Sequence, residues 1–358
     1  MSFDTRRSSD PTAPNGSVAG LGKPEGPSQL LDLCPKHLMT PLLSLGHIAA
    51  SLGIAGLLAK NEAKRALGSF KSLGGTYAGL RALARAADVD IQALFELSTA
   101  QKSNLPRLIC ASDGNHGLAV AAAARLAGAP ATVFLHPLVG QDRVDRVTAQ
   151  GAGVVIVDGS YDDAVIFAGL AASSGDGVLI ADTGESADDP VVADVMAGYA
   201  VIGEETIRQL AEHNLPNPSH IFVQAGVGGL AAAMAECLCG VLAWPSKLIV
   251  VEPDQAACVG PALRLRKAVR IPGDLDTSAD MLACGLASTP ALEILLRHSA
   301  SALEVSEPEI RAATLILNQQ PGVSTTASGA TGLAGLIKAL ADPVLRQRFE
   351  LDVTSCPI

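Results

Sequence analysis

The sequence predicts an α/β protein with parallel sheets, because of its composition and the alternation of two kinds of segment. Hydrophobic residues make up 48% of the 358 residues and charged residues only 17%, which indicates elements that are buried on more than one face. From Pro106 onward, short apolar runs alternate with Ala-rich segments of helical periodicity. Strands and helices in this alternating order build parallel sheets covered by helices.

The predicted elements follow directly from this alternation. The apolar runs are predicted strands: RLICA at 107–111, ATVFL at 131–135, GVVIVD at 153–158, GVLIAD at 177–182, HIFVQA at 220–225 and KLIVVE at 247–252. Helices are predicted at 76–87, 115–128, 140–150, 160–173, 190–213, from about Gly228, and at 307–319 and 329–341. Parallel strands need such crossover connections, so each helix is expected to link one strand to the next.

The glycine-rich turns fall in two parts of the chain, which predicts two α/β domains. Residues 1–35 are polar and rich in Pro, Gly and Ser, and we predict that they form a flexible N-terminal arm. The smaller domain is predicted at 76–174, and the larger one is predicted to combine 36–75 with 175–358. The cleft between the domains is the expected place for a small ligand.

Charge and cysteine content narrow the class of function. The net charge of −10 argues against binding to nucleic acid or to an anionic membrane surface. The chain has no secretory signal and no uninterrupted apolar run of about 18 residues, so no membrane span is expected. The seven cysteines form no CxxC pair, which favours a reducing compartment, the cytoplasm, and argues against a metal site.

The first motif that could take part in catalysis is SFKSLGG at 69–75, where Lys71 stands between Phe70 and a glycine pair, just before a predicted helix. Partial desolvation of such a lysine lowers its pKa and frees the amine to attack a carbonyl carbon. The alternative interpretation is a solvated lysine in the turn that enters the helix.

The second motif is ASDGNHG at 111–117, which follows a predicted strand and opens a predicted helix. Backbone N–H groups at such a helix start favour an anion, so the turn is predicted to bind a carboxylate. Alternatively, Asp113 or Asn115 only caps the helix, and His116 is a structural histidine.

The third motif is QAGVGGL at 224–230, again between a predicted strand and a predicted helix. Its three glycines allow the backbone to wrap a phosphate group against the helix start, although close helix–strand packing also uses glycine. The GxGxxG spacing of dinucleotide-binding folds is not met, which argues against an oxidoreductase with a nicotinamide cofactor.

Taken together, the three motifs resemble those of the fold-type-II pyridoxal-phosphate enzymes, most of all the diaminopropionate ammonia-lyases. The resemblance covers about residues 40–345 and implies two parallel-sheet α/β domains with the active site in the cleft between them. It extends to DGSYDDAV at 158–165, ADTG at 181–184, VEPD at 251–254, CGLAS at 284–288 and SGATGLAG at 328–335. Leu73 precedes Gly74 where threonine dehydratases usually carry a basic residue, which favours the ammonia-lyase branch.

The resemblance implies a role for each matched residue. Lys71 corresponds to the lysine that is linked covalently to pyridoxal phosphate, with Phe70 beside it and Asn115 near the ring hydroxyl of the cofactor. The cofactor phosphate is expected at Gly226, Val227, Gly228, Gly229 and Leu230. The hydroxyl of Ser328, or of Thr326 as a second candidate, is expected against the pyridine nitrogen. The substrate carboxylate is expected at Ser112, Asp113, Gly114 and His116.

The implied reaction is α,β-elimination of ammonia from 2,3-diaminopropionate, which yields pyruvate and ammonia. Lys71 is the expected base at Cα, and Asp113 and Asp182 are expected acids whose pKa is raised by desolvation, although Asp182 equally suits a helix cap.

Several alternatives to this reaction stay open. Thr326 stands where related enzymes often carry glutamate, so a serine or threonine dehydratase, or a lyase of another β-substituted small amino acid, remains an alternative. A catalytically silent amino-acid sensor on the same fold is a further alternative. The resemblance also implies a homodimer.

Overall fold

The structure is a computed structural model that describes residues 38–112, 114–137 and 139–358. The predicted N-terminal arm at 1–35 lies outside these residues. Within them the chain folds into parallel sheets and helices, which confirms the predicted α/β class. The limits proposed for the two domains stay a prediction.

Two parallel sheets form the framework of the described residues. A four-stranded sheet has the order β5-β4-β3-β6, formed by β3 (Leu108–Ala111), β4 (Ala131–Leu135), β5 (Gly153–Ile156) and β6 (Val178–Leu179). A three-stranded sheet has the order β7-β8-β9, formed by β7 (His220–Gln224), β8 (Lys247–Pro253) and β9 (Ser301–Val305). A small antiparallel pair consists of β1 (Leu42–Ser44) and β2 (Leu58–Lys60).

The helices occupy most of the remaining chain. Before β4 lie α1 (Gly46–Leu52), α2 (Lys71–Ala86), α3 (Ile91–Glu96), α4 (Thr99–Lys102) and α5 (Asn115–Ala127). Between β4 and β8 lie α6 (Gln141–Thr148), α7 (Tyr161–Ser173), α8 (Pro190–Glu212) and α9 (Gly229–Leu238). After β8 lie α10 (Val259–Leu265), α11 (Thr289–Arg297), α12 (Glu307–Asn318), α13 (Ala327–Ala341) and α14 (Pro343–Arg348).

All six predicted strands are present, but the run GVLIAD contributes only two residues, Val178 and Leu179, to β6. The Ile180 N–H still donates to the Ile109 carbonyl of β3 at 2.7 Å, but the Ile180 carbonyl accepts a hydrogen bond from His116 Nε2 at 2.8 Å. Strands β1, β2 and β9 are additions that the apolar pattern did not predict.

Helix α2 begins at Lys71, five residues before the predicted start at position 76, so that prediction is wrong. The glycine pair that suggested a turn lies inside the helix, where each glycine allows a close contact. A Cβ on Gly75 would lie 2.7 Å from the Ala119 side chain, and one on Gly74 would lie 2.7 Å from the Val195 carbonyl oxygen. Lys71 therefore projects from a helix and not from a turn.

Helices α2 and α8 pack against each other through glycine. A Cβ on Gly198 of α8 would lie 2.7 Å from both Gly74 Cα and the Leu73 carbonyl oxygen. Such distances leave no room for a side chain, so the two backbones are in direct contact. This contact is part of one apolar core that reaches from Leu108 of the four-stranded sheet to Val250 of the three-stranded sheet.

A buried ionic cluster anchors the segment before α2 to the same helix α8. The Arg65 side chain is fully buried and binds Glu205 through Nη1 at 2.6 Å and Nη2 at 2.8 Å. Glu62 accepts a further hydrogen bond from Arg65 Nε at 2.8 Å. Lys60 Nζ completes the cluster, 2.7 Å from Glu205. The chain that leads into Lys71 is thereby held against the core.

The glycine contact predicts opposite effects for two mid-helix substitutions. Gly198→Ala should lower the free energy of unfolding by about 1–3 kcal/mol, because the added methyl group has no space between α2 and α8. Gly169→Ala in α7 should raise it by about 0.5–1 kcal/mol, since nothing lies within 4 Å of a Cβ there and alanine favours the helix. Urea denaturation of the two variants and the unaltered protein at equal concentration measures both changes, and equal effects would contradict the packing described.

Candidate active site

A large cavity of about 1720 Å³ opens at the carboxyl ends of both parallel sheets. Strands β3 and β6 are neighbours although the chain passes through β4 and β5 between them, so the four-stranded sheet reverses its order at this point. Ligands of open parallel sheets bind outside the carboxyl ends of the strands at such a reversal. The turns that follow β3, β6 and β7 all line the cavity.

Lys71 and Asp182 meet inside this cavity. Lys71 is the first residue of α2, Asp182 follows β6, and Lys71 Nζ lies 2.9 Å from Asp182 Oδ2. About a quarter of the Lys71 side chain and a sixth of the Asp182 side chain are exposed. The interpretation of Lys71 as a solvated turn residue is therefore wrong: it is a helical residue paired with a carboxylate.

The ion pair reverses the pKa shifts expected from desolvation. Burial alone lowers the pKa of the Lys71 ammonium, but the charge of Asp182 outweighs it and the pKa is raised well above its usual value. Burial alone raises the pKa of Asp182, but the charge of Lys71 brings it well below its usual range. The expected directions are wrong for this arrangement, because each group stabilises the charged form of the other.

The turn after β3 contributes Ser112, Gly114 and Asn115 to the cavity wall. Ser112 Oγ accepts a hydrogen bond from the Gly114 N–H at 3.2 Å, which shapes the turn. Asn115 Nδ2 lies 4.0 Å from the sulfur of Met281, which also lines the cavity. Asp113, which we predicted as an acid and as part of the carboxylate site, lies outside the described residues.

His116 is placed behind the cavity wall. It is only 2% exposed, and it does not belong to the described residues that line the cavity. Its Nε2 lies 2.8 Å from the Ile180 carbonyl oxygen, which can only accept, so Nε2 carries a hydrogen atom. This contact ties the turn after β3 to the segment that ends in Asp182.

The glycine turn follows β7 and leads into α9. Gly228 has φ of +99°, a left-handed conformation that favours glycine, and no side chain caps the N-terminus of α9. A Cβ on Gly226 would lie 2.9 Å from Cys284 Sγ. The thiol of Cys258 donates to the Gly226 carbonyl at 3.3 Å, and the Ser288 N–H donates to the Val227 carbonyl at 2.9 Å. These contacts fix the shape of the turn, whose members Gly226, Val227, Gly228, Gly229 and Leu230 all line the cavity.

Ser328 and Thr326 stand at the start of α13 and have different surroundings. Ser328 is 7% exposed and lines the cavity, and its Oγ accepts a hydrogen bond from the Met281 N–H at 3.3 Å. Thr326 is the N-cap of α13, because its hydroxyl accepts a hydrogen bond from the Gly329 N–H at 3.3 Å. Ser328 is therefore the more deeply placed of the two hydroxyl groups proposed from the sequence.

Tyr199 is a cavity residue that the sequence analysis missed. It lies in the middle of α8, is 3% exposed, and packs edge to face against Phe70 with ring centroids 5.0 Å apart. No local motif marks it, since its neighbours are the apolar residues of a long helix. Only the packing of α8 on α2 brings it to the site.

Within the described residues, no group of three or more His, Cys, Asp and Glu side chains is arranged to hold a metal ion. The helices described there are all too short or too polar to cross a membrane.

Comparison with known proteins agrees with this geometry. The sequence profile of the family described as pyridoxal-phosphate dependent enzyme matches residues 34–349. Diaminopropionate ammonia-lyase of Escherichia coli K12 is 31% identical over 305 residues, which are 83% of this chain and 76% of that protein. L-threonine ammonia-lyase of Geobacter sulfurreducens is 30% identical over 230 residues, 64% of this chain and 54% of that protein.

A solved structure is similar over most of its length. The crystal structure of Escherichia coli diaminopropionate ammonia-lyase in complex with an aminoacrylate-PLP azomethine reaction intermediate superposes with a TM-score of 0.81 and 28% identity. The match covers 92% of this chain and 85% of that one. The resemblance inferred from the three motifs is confirmed, and with it the fold class and the cofactor, pyridoxal phosphate. The chain belongs to the pyridoxal-phosphate-dependent enzymes of fold type II.

Proposed function

We propose that this protein is a lyase that eliminates ammonia from 2,3-diaminopropionate. Water then hydrolyses the aminoacrylate product to pyruvate and a second ammonia. The observation that carries the proposal is the Lys71–Asp182 pair, 2.9 Å apart in a cavity that the glycine turn also lines. It places an amine and a carboxylate where one substrate can reach both. Relatives that are named diaminopropionate ammonia-lyase support the choice of substrate.

The residues of the cavity fit pyridoxal phosphate. The glycine turn offers a left-handed Gly228 and a helix start without a side-chain cap, so backbone N–H groups remain for the phosphate. We propose that Gly226, Val227, Gly228, Gly229 and Leu230 bind it. Ser328 suits the pyridine nitrogen, Asn115 the ring hydroxyl, and Phe70 the wall beside Lys71.

When bound, the cofactor supplies an electron sink for the bonds at the substrate Cα. The protein holds the substrate carboxylate at the turn after β3, where Ser112, Asp113 and Gly114 are the proposed ligands. We propose that His116 does not touch the substrate but positions this turn through its hydrogen bond to the Ile180 carbonyl. Lys71 Nζ, as a neutral amine, is the proposed base that removes the proton from Cα.

We propose that the Asp182 carboxyl group takes up a proton and delivers it to the leaving amino group. Its pKa is low while the Lys71 ammonium lies beside it. Once the Lys71 nitrogen carries no charge, its influence disappears, and burial, which is the largest effect on this carboxyl, moves the pKa upward against the smaller effects of His116 and a backbone hydrogen bond. The carboxylate is then able to take up and deliver a proton during the reaction. Asp113 is the second proposed acid.

A serine or threonine dehydratase is the second candidate, favoured by Thr326 at a position where related enzymes often carry glutamate and by the L-threonine ammonia-lyase relative. A catalytically silent amino-acid sensor is the third alternative.

The substrate is tested by supplying the cofactor-loaded protein separately with D- and L-2,3-diaminopropionate, serine and threonine. We expect two ammonia molecules per pyruvate from diaminopropionate, at a higher kcat/KM than for the hydroxy amino acids, because Asp182 and Asp113 are the proposed acids for an amine leaving group. Pyruvate, 2-oxobutyrate and ammonia are quantified. Turnover of serine or threonine alone would assign the protein to the dehydratases, and silence on all four would favour the sensor.

Lys71→Ala is expected to abolish the visible absorbance of bound cofactor and to reduce turnover by at least a thousandfold, since the variant lacks the amine. Lys64→Ala, which removes an exposed lysine seven residues earlier, should change neither. Absorbance spectra and single-turnover kinetics measure both effects. Unaltered turnover of the Lys71 variant would reject its assignment.

We also propose a homodimer in the cytoplasm. The six cysteines described are free thiols, which supports the compartment. The dimer is supported by exposed apolar side chains on α7 and on β5, which lies at a sheet edge: Val155, Ile156, Val165, Ile166, Phe167 and Leu170. Residues 164–173 carry no charge, so two copies of this acidic chain can meet there without repulsion.

Light scattering should therefore give the mass of two chains, and Ile166→Glu should shift it towards one chain, because it buries a charge in the contact. Leu315→Glu, at an equally exposed leucine of α12, should leave the dimer intact. A mass of one chain for the unaltered protein would refute the dimer, and cell fractionation tests the compartment.

A further inference from the structure

Tyr199 has a hydroxyl group to which the proposed mechanism assigns no task. The residue is 3% exposed and lines the cavity. Across the described residues, its hydroxyl makes no hydrogen bond with the protein. A buried tyrosine normally finds a partner for this group, so a ligand in the cavity is the natural acceptor.

The contacts of the ring place its hydroxyl end between two parts of the site. A Cβ on Gly74, one turn after Lys71, would lie 2.8 Å from Tyr199 Cζ, the atom that bears the hydroxyl group. A Cβ on Gly229, the first residue of α9, would lie 3.8 Å from Tyr199 Cε2. Phe70 packs edge to face against the same ring. The hydroxyl end therefore lies between the start of α2 and the start of α9.

Burial of the phenol keeps it protonated. Burial raises the pKa of the Tyr199 hydroxyl, and the charge of Asp182 raises it further. The charge of Lys71 lowers it, but the pKa stays well above its usual value. A protonated phenol donates a hydrogen bond, which is what an anionic group beside the N-terminus of a helix accepts.

We propose that Tyr199 is a cofactor-binding residue whose hydroxyl donates a hydrogen bond to the phosphate group of pyridoxal phosphate, beside the N–H groups at the start of α9. The proposal rests on the glycine turn as the phosphate site, which the proposed function also assumes. It makes the long helix α8 a direct part of the cofactor site.

The test compares Tyr199→Phe with the unaltered protein, each freed of cofactor and titrated with pyridoxal phosphate and with pyridoxal, which lacks the phosphate group. Loss of a hydrogen bond to a charged group should weaken pyridoxal phosphate at least about tenfold and leave pyridoxal within about twofold. Inorganic phosphate should also compete about tenfold less well in the variant. Thermal unfolding checks that the ring still packs.

Tyr77→Phe is the matched control, because Tyr77 is a buried tyrosine of α2 outside the cavity lining. It should leave all three affinities unchanged. Equal weakening of pyridoxal phosphate and pyridoxal by Tyr199→Phe, or no weakening of either, would overturn the proposal. The titrations contain no amino acid, so their result does not depend on the substrate. If the protein does not turn over diaminopropionate, the assignment of Tyr199 to the phosphate can still hold. If Tyr199 proves not to bind the phosphate, the proposed substrate can still be correct.

Discussion

Helices α2 and α8 touch backbone to backbone at Gly74 and Gly198, and the positions of Lys71 and Tyr199 depend on that contact. A side chain at position 198 would lie 2.7 Å from Gly74 Cα, so only glycine permits this approach. The contact sets Lys71, at the start of α2, beside Tyr199, one residue after Gly198. Because Lys71 projects from a packed helix and not from a loop, its amine has a defined position in the cavity.

The buried ionic cluster is a second contact between helix α8 and the segment before α2. Arg65 is fully buried, and it binds Glu205 of α8 and Glu62 of its own segment. Removing one partner would leave an uncompensated charge in the core, which is far more costly than the loss of an exposed pair. The cluster thus ties Arg65, six residues before Lys71, to the helix that carries Tyr199.

Opposite charges govern the chemistry at the centre of the cavity. Lys71 and Asp182 come from segments that are 111 residues apart in the chain, and they meet because β6 pairs with β3 at the point where the sheet reverses its order. Each group holds the other in its charged form. The proton affinity of Asp182 therefore depends on the charge of Lys71, which couples the two groups through the reaction we propose.

The six strands and eight helices named in the sequence analysis were predictable in their order, because apolar periodicity is a local property of the chain. Strands β1, β2 and β9 and several of the shorter helices were not predicted. The three motifs and their family resemblance could likewise be recognised from the sequence, since they depend on residue type at short spacing. Three other features could not be predicted from the sequence: the helical position of Lys71, the place of Tyr199 at the site, and the direction of the pKa shifts at Lys71 and Asp182. These were decided only by the tertiary structure, because they arise from contacts between segments that are distant in the chain, where packing and charge depend on which neighbours the fold brings together.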